Sequence, residues 1–294
     1  MPYTAEISRA HPACLIFLID QSSSMHDPIG TAPGAPDGKA RTEAEAETAP
    51  VRKADVVADS LNRLLFELSV RCAKEEGVRD YFTITVIGYG GIVQPALAGP
   101  LAGRELVPLS EIAAFPARFE ARTKKVPDGA GGLVERTIES PVWVEPVASG
   151  GTPMCEALAA AGKVVSRWVD AYPDGFPPIV LNLTDGESTD GNPDEAATRL
   201  RYHVTGDGEA LLFNLHISAN RTAPVQFPAP DDELPDQYAR LLSHMSSELP
   251  PGMRAYATEQ GQDVADGAKG FVFNADLSAV VQFLDIGTRA ADLR

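Results

Sequence analysis

Basic residues are in short supply in this 294-residue chain. Lys and Arg number 25 against 41 Asp and Glu, giving a formal charge of −16 and a sequence pI near 4.7. A surface of that sign repels phosphate backbones and anionic lipid, so neither nucleic acid nor a membrane is an expected partner. It favours divalent cations and basic protein surfaces, although a merely solvated acidic face would have the same composition. Cysteine is also scarce: Cys14, Cys72 and Cys155 are odd in number and widely separated. That argues against a disulfide framework and suits reduced, mostly buried thiols. No apolar stretch approaches the about 20 residues that a bilayer requires. The N-terminus lacks the basic start and apolar core of an export signal. Internal repeats and coiled-coil heptads are missing too. The expectation is a soluble, cytoplasmic protein.

What is present is an ordinary globular composition, 44% hydrophobic and 22% charged. Val56, Val57, Leu61, Leu64, Leu65, Leu68 and Cys72 recur at three- and four-residue steps, which predicts a helix over 53–76 stopped by Gly77. β-Branched and aromatic residues predict a strand over 81–89, and Gly90-Gly91 turns it toward a hairpin partner at Ile92-Val93. Further helices are expected near 153–172, 193–202, 237–248 and 277–289, and strands near 178–184, 210–217 and 270–273. This alternation predicts an α/β fold: a Rossmann-like, doubly wound, mainly parallel sheet with helices on both faces. The length suits one domain over 1–294 with two interruptions. The stretch 26–52, rich in Ala, Pro, Gly, Thr and Glu, is expected to be a flexible loop, either passive or a lid. Residues 95–145 read as an elaborated insertion with a helix near 109–120 and a strand near 137–145.

The most informative segment is Leu15-Ile16-Phe17-Leu18-Ile19-Asp20-Gln21-Ser22-Ser23-Ser24. A buried strand that stops there delivers Asp20, Ser22 and Ser24 into the crevice where open α/β sheets bind ligands. Two later segments share the layout. Gly150-Gly151-Thr152-Pro153 places a hydroxyl after a flexible glycine pair, just ahead of a helix. Leu183-Thr184-Asp185-Gly186-Glu187 ends another buried strand in an aspartate. Asp20, Ser22, Ser24, Thr152 and Asp185 make an all-oxygen set of carboxylates and hydroxyls. Completed by waters, it suits a near-octahedral Mg²⁺ and not zinc or copper, with Mn²⁺ and Ca²⁺ left open.

The succession Asp-x-Ser-x-Ser, Gly-Gly-Thr-Pro and Thr-Asp-Gly-Glu resembles the von Willebrand factor A domain with its metal-ion-dependent adhesion site. The resemblance covers roughly 14–90 and 148–290. Gly-Gly-Thr-Pro-Met and Asp-Gly-Glu-Ser-Thr-Asp-Gly look most like bacterial intracellular members, including those linked to tellurite resistance and stress. The resemblance implies roles. Ser22 and Ser24 would coordinate the metal directly, Thr152 directly in the ligand-competent state and through water otherwise, and Asp20 and Asp185 mostly through waters. The remaining coordination position would accept an Asp or Glu from a partner protein, because neutral direct ligands leave the metal its positive charge. The implied setting is a non-enzymatic adaptor beside a kinase, a phosphatase or an AAA+ ATPase.

Two other classes compete. A Mg²⁺-dependent phosphohydrolase would use Asp20 as nucleophile, with a second acid two residues on and a basic phosphate clamp. Position 22 is serine, and no Lys or Arg flanks the motif closely in sequence. A metal-independent scaffold would bind through 95–145 instead. Cys155, in the first turn of the helix after Thr152, reads as a small buried side chain, since no histidine is placed beside it. His26 reads as a solvent-facing loop residue rather than a group at the metal's rim. Glu187 and Asp190 suit charge tuning and turn stabilisation equally well.

Overall fold

The computed structural model describes residues 2–29, 51–127, 133–217, 224–275 and 277–287. Most of the loop expected at 26–52 therefore lies outside the described residues, as does the last expected helix beyond 287. In chain order the main elements are β1 (Ala13–Asp20), α1 (Lys53–Arg71), β2 (Phe82–Tyr89), β3 (Val93–Pro95), α2 (Leu109–Ala114), β4 (Arg118–Pro127), β5 (Leu133–Val142), α3 (Met154–Ala171), β6 (Ile179–Thr184), α4 (Asp194–Arg201), β7 (Leu211–Ile217), α5 (Gln237–Met245), α6 (Pro251–Glu259), β8 (Phe271–Ala275) and α7 (Leu277–Gly287).

β1 is buried along its whole length, as an uninterrupted apolar run requires of a central parallel strand. The parallel strands lie in the order β8-β7-β6-β1-β2. Antiparallel edges flank them: β3 and Val107–Pro108 on β2, and Val225–Gln226 on β8. Leu15, Phe17 and Ile19 of β1 join the cluster that holds α1 and α7, whereas Cys14, Ile16 and Leu18 join that of α3, α4 and α5. Successive side chains on a strand point to opposite faces, so helices cover both sides of the sheet as the alternation predicts. From β1 the chain runs outward through α1 to β2, then back over through α3 to β6 and on to β7 and β8. The strand order thus reverses between β1 and β6, and the crevice at their carboxyl ends is the topological switch point.

Several boundaries differ from expectation for local reasons. α1 stops at Arg71, and Ala73–Lys74 pairs antiparallel with Gly77–Val78. Gly77, at φ +118°, therefore serves a hairpin turn rather than a helix end. α2 ends at Ala114 because Pro116 forces Phe115 out of helical geometry, to φ −128° and ψ 59°. Beyond it, β4 and β5 form a two-stranded ribbon apart from the main sheet. α6 was not expected from periodicity, since it buries only Met253 and Ala257, but Pro251 in its first turn is a helix-start signal. Among the described residues, no helix is long and apolar enough to cross a membrane.

A polar relay crosses the buried sheet below the switch point. Tyr89 donates its hydroxyl to Asn182 Oδ1 (2.7 Å), Asn182 donates to Asn214 Oδ1 (2.9 Å), and Asn214 donates to Ser246 Oγ (2.9 Å). Asn182 and Asn214 are register partners on β6 and β7, and all four residues are fully buried. Tyr89→Phe leaves the Asn182 carbonyl without its donor, at an expected cost of ~1–3 kcal/mol. The loss should show as a lower urea midpoint at unchanged slope.

Candidate metal-binding site

Three loops meet at the switch point, and backbone hydrogen bonds fix their relative positions. Gln21 N–H donates to the Tyr89 carbonyl (2.7 Å), Ser149 N–H to the Gln21 carbonyl (2.6 Å), and Ser23 N–H to the Gly150 carbonyl (3.0 Å). The approach is too close for side chains at two positions. A Cβ on Gly90 would fall 2.6 Å from the carbonyl oxygens of both Gln21 and Ser149. Gly150 sits at φ +80°, where a Cβ would meet the Gly91 backbone at 2.4 Å.

Asp20 closes β1 and is 2% exposed. One carboxylate oxygen accepts the Ser22 backbone N–H at 2.8 Å, and the other accepts the Thr184 hydroxyl at 2.9 Å. The Ser22 hydroxyl lies 3.0 Å from that of Ser24, which donates to Asp185 Oδ1 at 2.7 Å. Thr152 exchanges hydrogen bonds with Thr189: its N–H donates to Thr189 Oγ1 and its carbonyl accepts the Thr189 N–H, both at 2.9 Å. The hydroxyls of Thr152 and Ser24 both border Gly186, where a Cβ would lie 3.9 Å and 4.0 Å from them. The fold thus brings together all five residues singled out by sequence.

It also brings one that sequence spacing concealed. Lys53 opens α1, and its Nζ lies 2.9 Å from Asp185 Oδ2 and 4.0 Å from Asp27 Oδ2. The Lys53 side chain is 8% exposed and that of Asp185 is fully buried. No basic residue flanks the motif along the chain, but Lys53 does so in space. A signal was available: a lysine opening a helix opposes the dipole there, so its position calls for another partner.

The donor set fits a hard cation. Burial pushes the Asp20 carboxyl up to about 6, and the nearby charge of Asp185 adds to this against the hydrogen bonds from Ser22 and Thr184. A divalent ion between the two carboxylates would relieve that strain on the charged form. Among the described residues, no group of three His, Cys, Asp or Glu side chains is placed to hold a metal. A cation in this crevice would therefore depend on the hydroxyls and on water, which Mg²⁺ retains readily.

The remaining candidates take structural places. Asp190 accepts the backbone N–H groups of Cys155 (3.0 Å) and Glu156 (2.9 Å) and the Ser188 hydroxyl (2.7 Å). It therefore caps α3 from a distance. Burial raises the Cys155 thiol, and Asp190 reinforces the rise, so the helix terminus does not activate this cysteine. His26 and Glu187 are exposed. His216 in β7 and Tyr238 in α5 belong to no motif in the sequence. His216 stacks on Phe273 at 4.6 Å and meets the edge of Tyr238 at 5.5 Å, and burial depresses its pKa to about 4. The Tyr238 hydroxyl donates to the Gly186 carbonyl, which buttresses the turn after Asp185.

The Asp20 environment has a measurable consequence. Its folded pKa near 6 exceeds the ordinary value of 3.8, so between these values the unfolded chain has released a proton that the fold retains. This group therefore makes the metal-free fold less stable as pH rises from about 4 to about 6, with the penalty constant above. Asp20→Asn removes the charge while its amide still accepts from Ser22 and donates to Thr184. In EDTA the variant should match wild type near pH 4 and melt higher at pH 7. His216, depressed toward 4, contributes the opposite slope in both proteins and cancels in the comparison. A variant that melts lower than wild type at pH 7 would contradict this account of Asp20.

No protein-family model matches this chain, and no curated protein matches it. Among solved structures, the vWF domain of the type V pili tip protein Mfa5 from Porphyromonas gingivalis is similar over 60% of this chain and 39% of that one, at 13% identity and a TM-score of 0.30. A structure of three N-terminal domains of that pili tip protein has the same identity and TM-score over 60% of this chain and 20% of its own. The chain thus spans less than half the length of each of these two chains. A likeness this remote transfers neither ligand nor partner.

Proposed function

We propose that the switch-point crevice binds a divalent cation, Mg²⁺ in the first instance, and that the bound ion captures an Asp or Glu side chain of a partner protein. This is the activity implied by the resemblance to the von Willebrand factor A domain. The observation that supports it most is the chain of short contacts that joins the site: the Ser22 backbone N–H to the Asp20 carboxylate, the Ser22 hydroxyl to that of Ser24, and the Ser24 hydroxyl to Asp185. Neutral hydroxyls as direct ligands leave the ion enough charge to attract an incoming carboxylate. Mn²⁺ suits the same donors, whereas Ca²⁺ prefers a larger oxygen shell. The intracellular adaptor role beside a kinase, a phosphatase or an AAA+ ATPase belongs to the same proposal.

The phosphohydrolase alternative gains a basic group in Lys53, close to Asp185. Burial tells against Asp20 as its nucleophile: the residue is 2% exposed, and the hydrogen bonds from Ser22 and Thr184 hold its carboxylate in place, which leaves little access for a phosphorus atom. Incubation with p-nitrophenyl phosphate and Mg²⁺ should give no turnover that depends on Asp20.

Ser24→Ala separates site from fold. The hydroxyl is exposed, so its removal should cost about 1 kcal/mol or less in EDTA. At Mg²⁺ about 100-fold above its dissociation constant, wild type should gain ~2.7 kcal/mol of stability. The variant should lose most of that gain, along with Mg²⁺-dependent retention of an acidic partner in affinity purification. Partner retention that ignores both EDTA and Ser24→Ala would favour a metal-independent scaffold.

A further inference from the structure

We infer that Lys53 is a built-in counter-ion that weakens the crevice's hold on its cation and keeps the loaded site positive; this rests on the cation reading above. Both oxygens of Asp185 are engaged by the protein itself. Oδ2 accepts from Lys53 Nζ at 2.9 Å, and Oδ1 accepts from the Ser24 hydroxyl at 2.7 Å. Asp185 thus meets an incoming ion with one oxygen already neutralised, which favours contact through water over direct ligation.

The ammonium is not a wandering surface charge. Lys53 is the first residue of α1, its backbone N–H donates to the Asp27 carbonyl at 3.0 Å, and its side chain is 8% exposed. Arg52 cannot substitute, because its guanidinium is paired with Asp55 at 2.6 Å. Burying a lysine at a helix N-terminus is unfavourable on two counts, desolvation and the helix dipole. The partner that chiefly offsets both is the buried Asp185 at 2.9 Å, with the more exposed Asp27 at 4.0 Å.

Formal charge shows what the arrangement does. Among the buried groups, Asp20 and Asp185 contribute −2 and Lys53 returns the crevice to −1; Asp27, 4.0 Å from the ammonium, is 66% exposed and screened by solvent. A divalent ion then leaves a net charge of +1, from +2 −2 +1. Without Lys53 the buried groups of the loaded crevice would sum to zero, and the ion's pull on a partner carboxylate would be weaker. The lysine lowers affinity for the metal and raises affinity for an acidic ligand on that metal.

The test is calorimetric titration of Mg²⁺ into chelator-stripped protein, comparing wild type with Lys53→Met, Lys53→Gln and Lys53→Arg. Met keeps the alkyl packing without charge, and Gln keeps an N–H donor without charge and stands in should Met fail to fold. The neutral variants should bind Mg²⁺ ~10-fold or more tighter than wild type, and Lys53→Arg should restore the wild-type affinity. Neutral variants that bind no tighter than wild type would make Lys53 a structural tie for α1 and overturn the inference, leaving the cation site intact. Absence of saturable Mg²⁺ binding in wild type and all variants would overturn the cation reading and this inference together.

Discussion

The burial of two carboxylates side by side, at the carboxyl ends of adjacent parallel strands, is the constraint on which the rest of the site depends. Asp20 closes β1 and Asp185 follows β6, so the strand pairing itself forces them together. Every nearby feature reduces the cost of that proximity. Asp20 takes hydrogen bonds on both oxygens, Ser24 donates to Asp185, and Lys53 comes from another element to neutralise it. Replacing buried ionic groups with apolar ones is often neutral or stabilising, so stability alone does not account for the arrangement, whereas the proposed cation would.

The scaffold beneath is built for rigidity. Asp20 pairs in register with Tyr89, and the Tyr89 hydroxyl starts the buried relay through Asn182 and Asn214. The strands that end at the site are thus cross-linked by polar contacts one layer below it. From the other side, Tyr238 holds the turn after Asp185, and Asp190 pins that same loop to α3. Site residues on loops are positioned here by strands and helices that have little freedom to shift.

Much of this was legible in the sequence, for identifiable reasons. β1, β2, β6 and β7 are apolar runs with β-branched residues, and α1 and α3 repeat their core positions at helical spacing, so period alone recovers them. Asp20 and Asp185 stand out because each ends such a run, and Thr152 because a glycine pair precedes it. Where the apolar signal thins, the reading falters: α6 buries two side chains, and the β4–β5 ribbon makes its own two-stranded sheet with Arg118, Glu120 and Arg122 paired on its surface. Lys53 was hidden for a different reason. Its place at a helix start calls for a partner, but that partner is Asp185, 132 positions away, and the local pattern does not name it. His216 and Tyr238 likewise act through tertiary contacts, their mutual ring packing and the Tyr238 hydroxyl on the Gly186 carbonyl.

The most direct test of the central claim is crystallography with Mn²⁺, using its anomalous signal to locate the ion. The account predicts a single peak in the crevice, about 2.1 Å from the Ser22 and Ser24 hydroxyl oxygens, with Asp20 and Asp185 turned toward its water shell. Saturating Mn²⁺ with no peak between β1 and β6, or with peaks only on surface carboxylates, would contradict it.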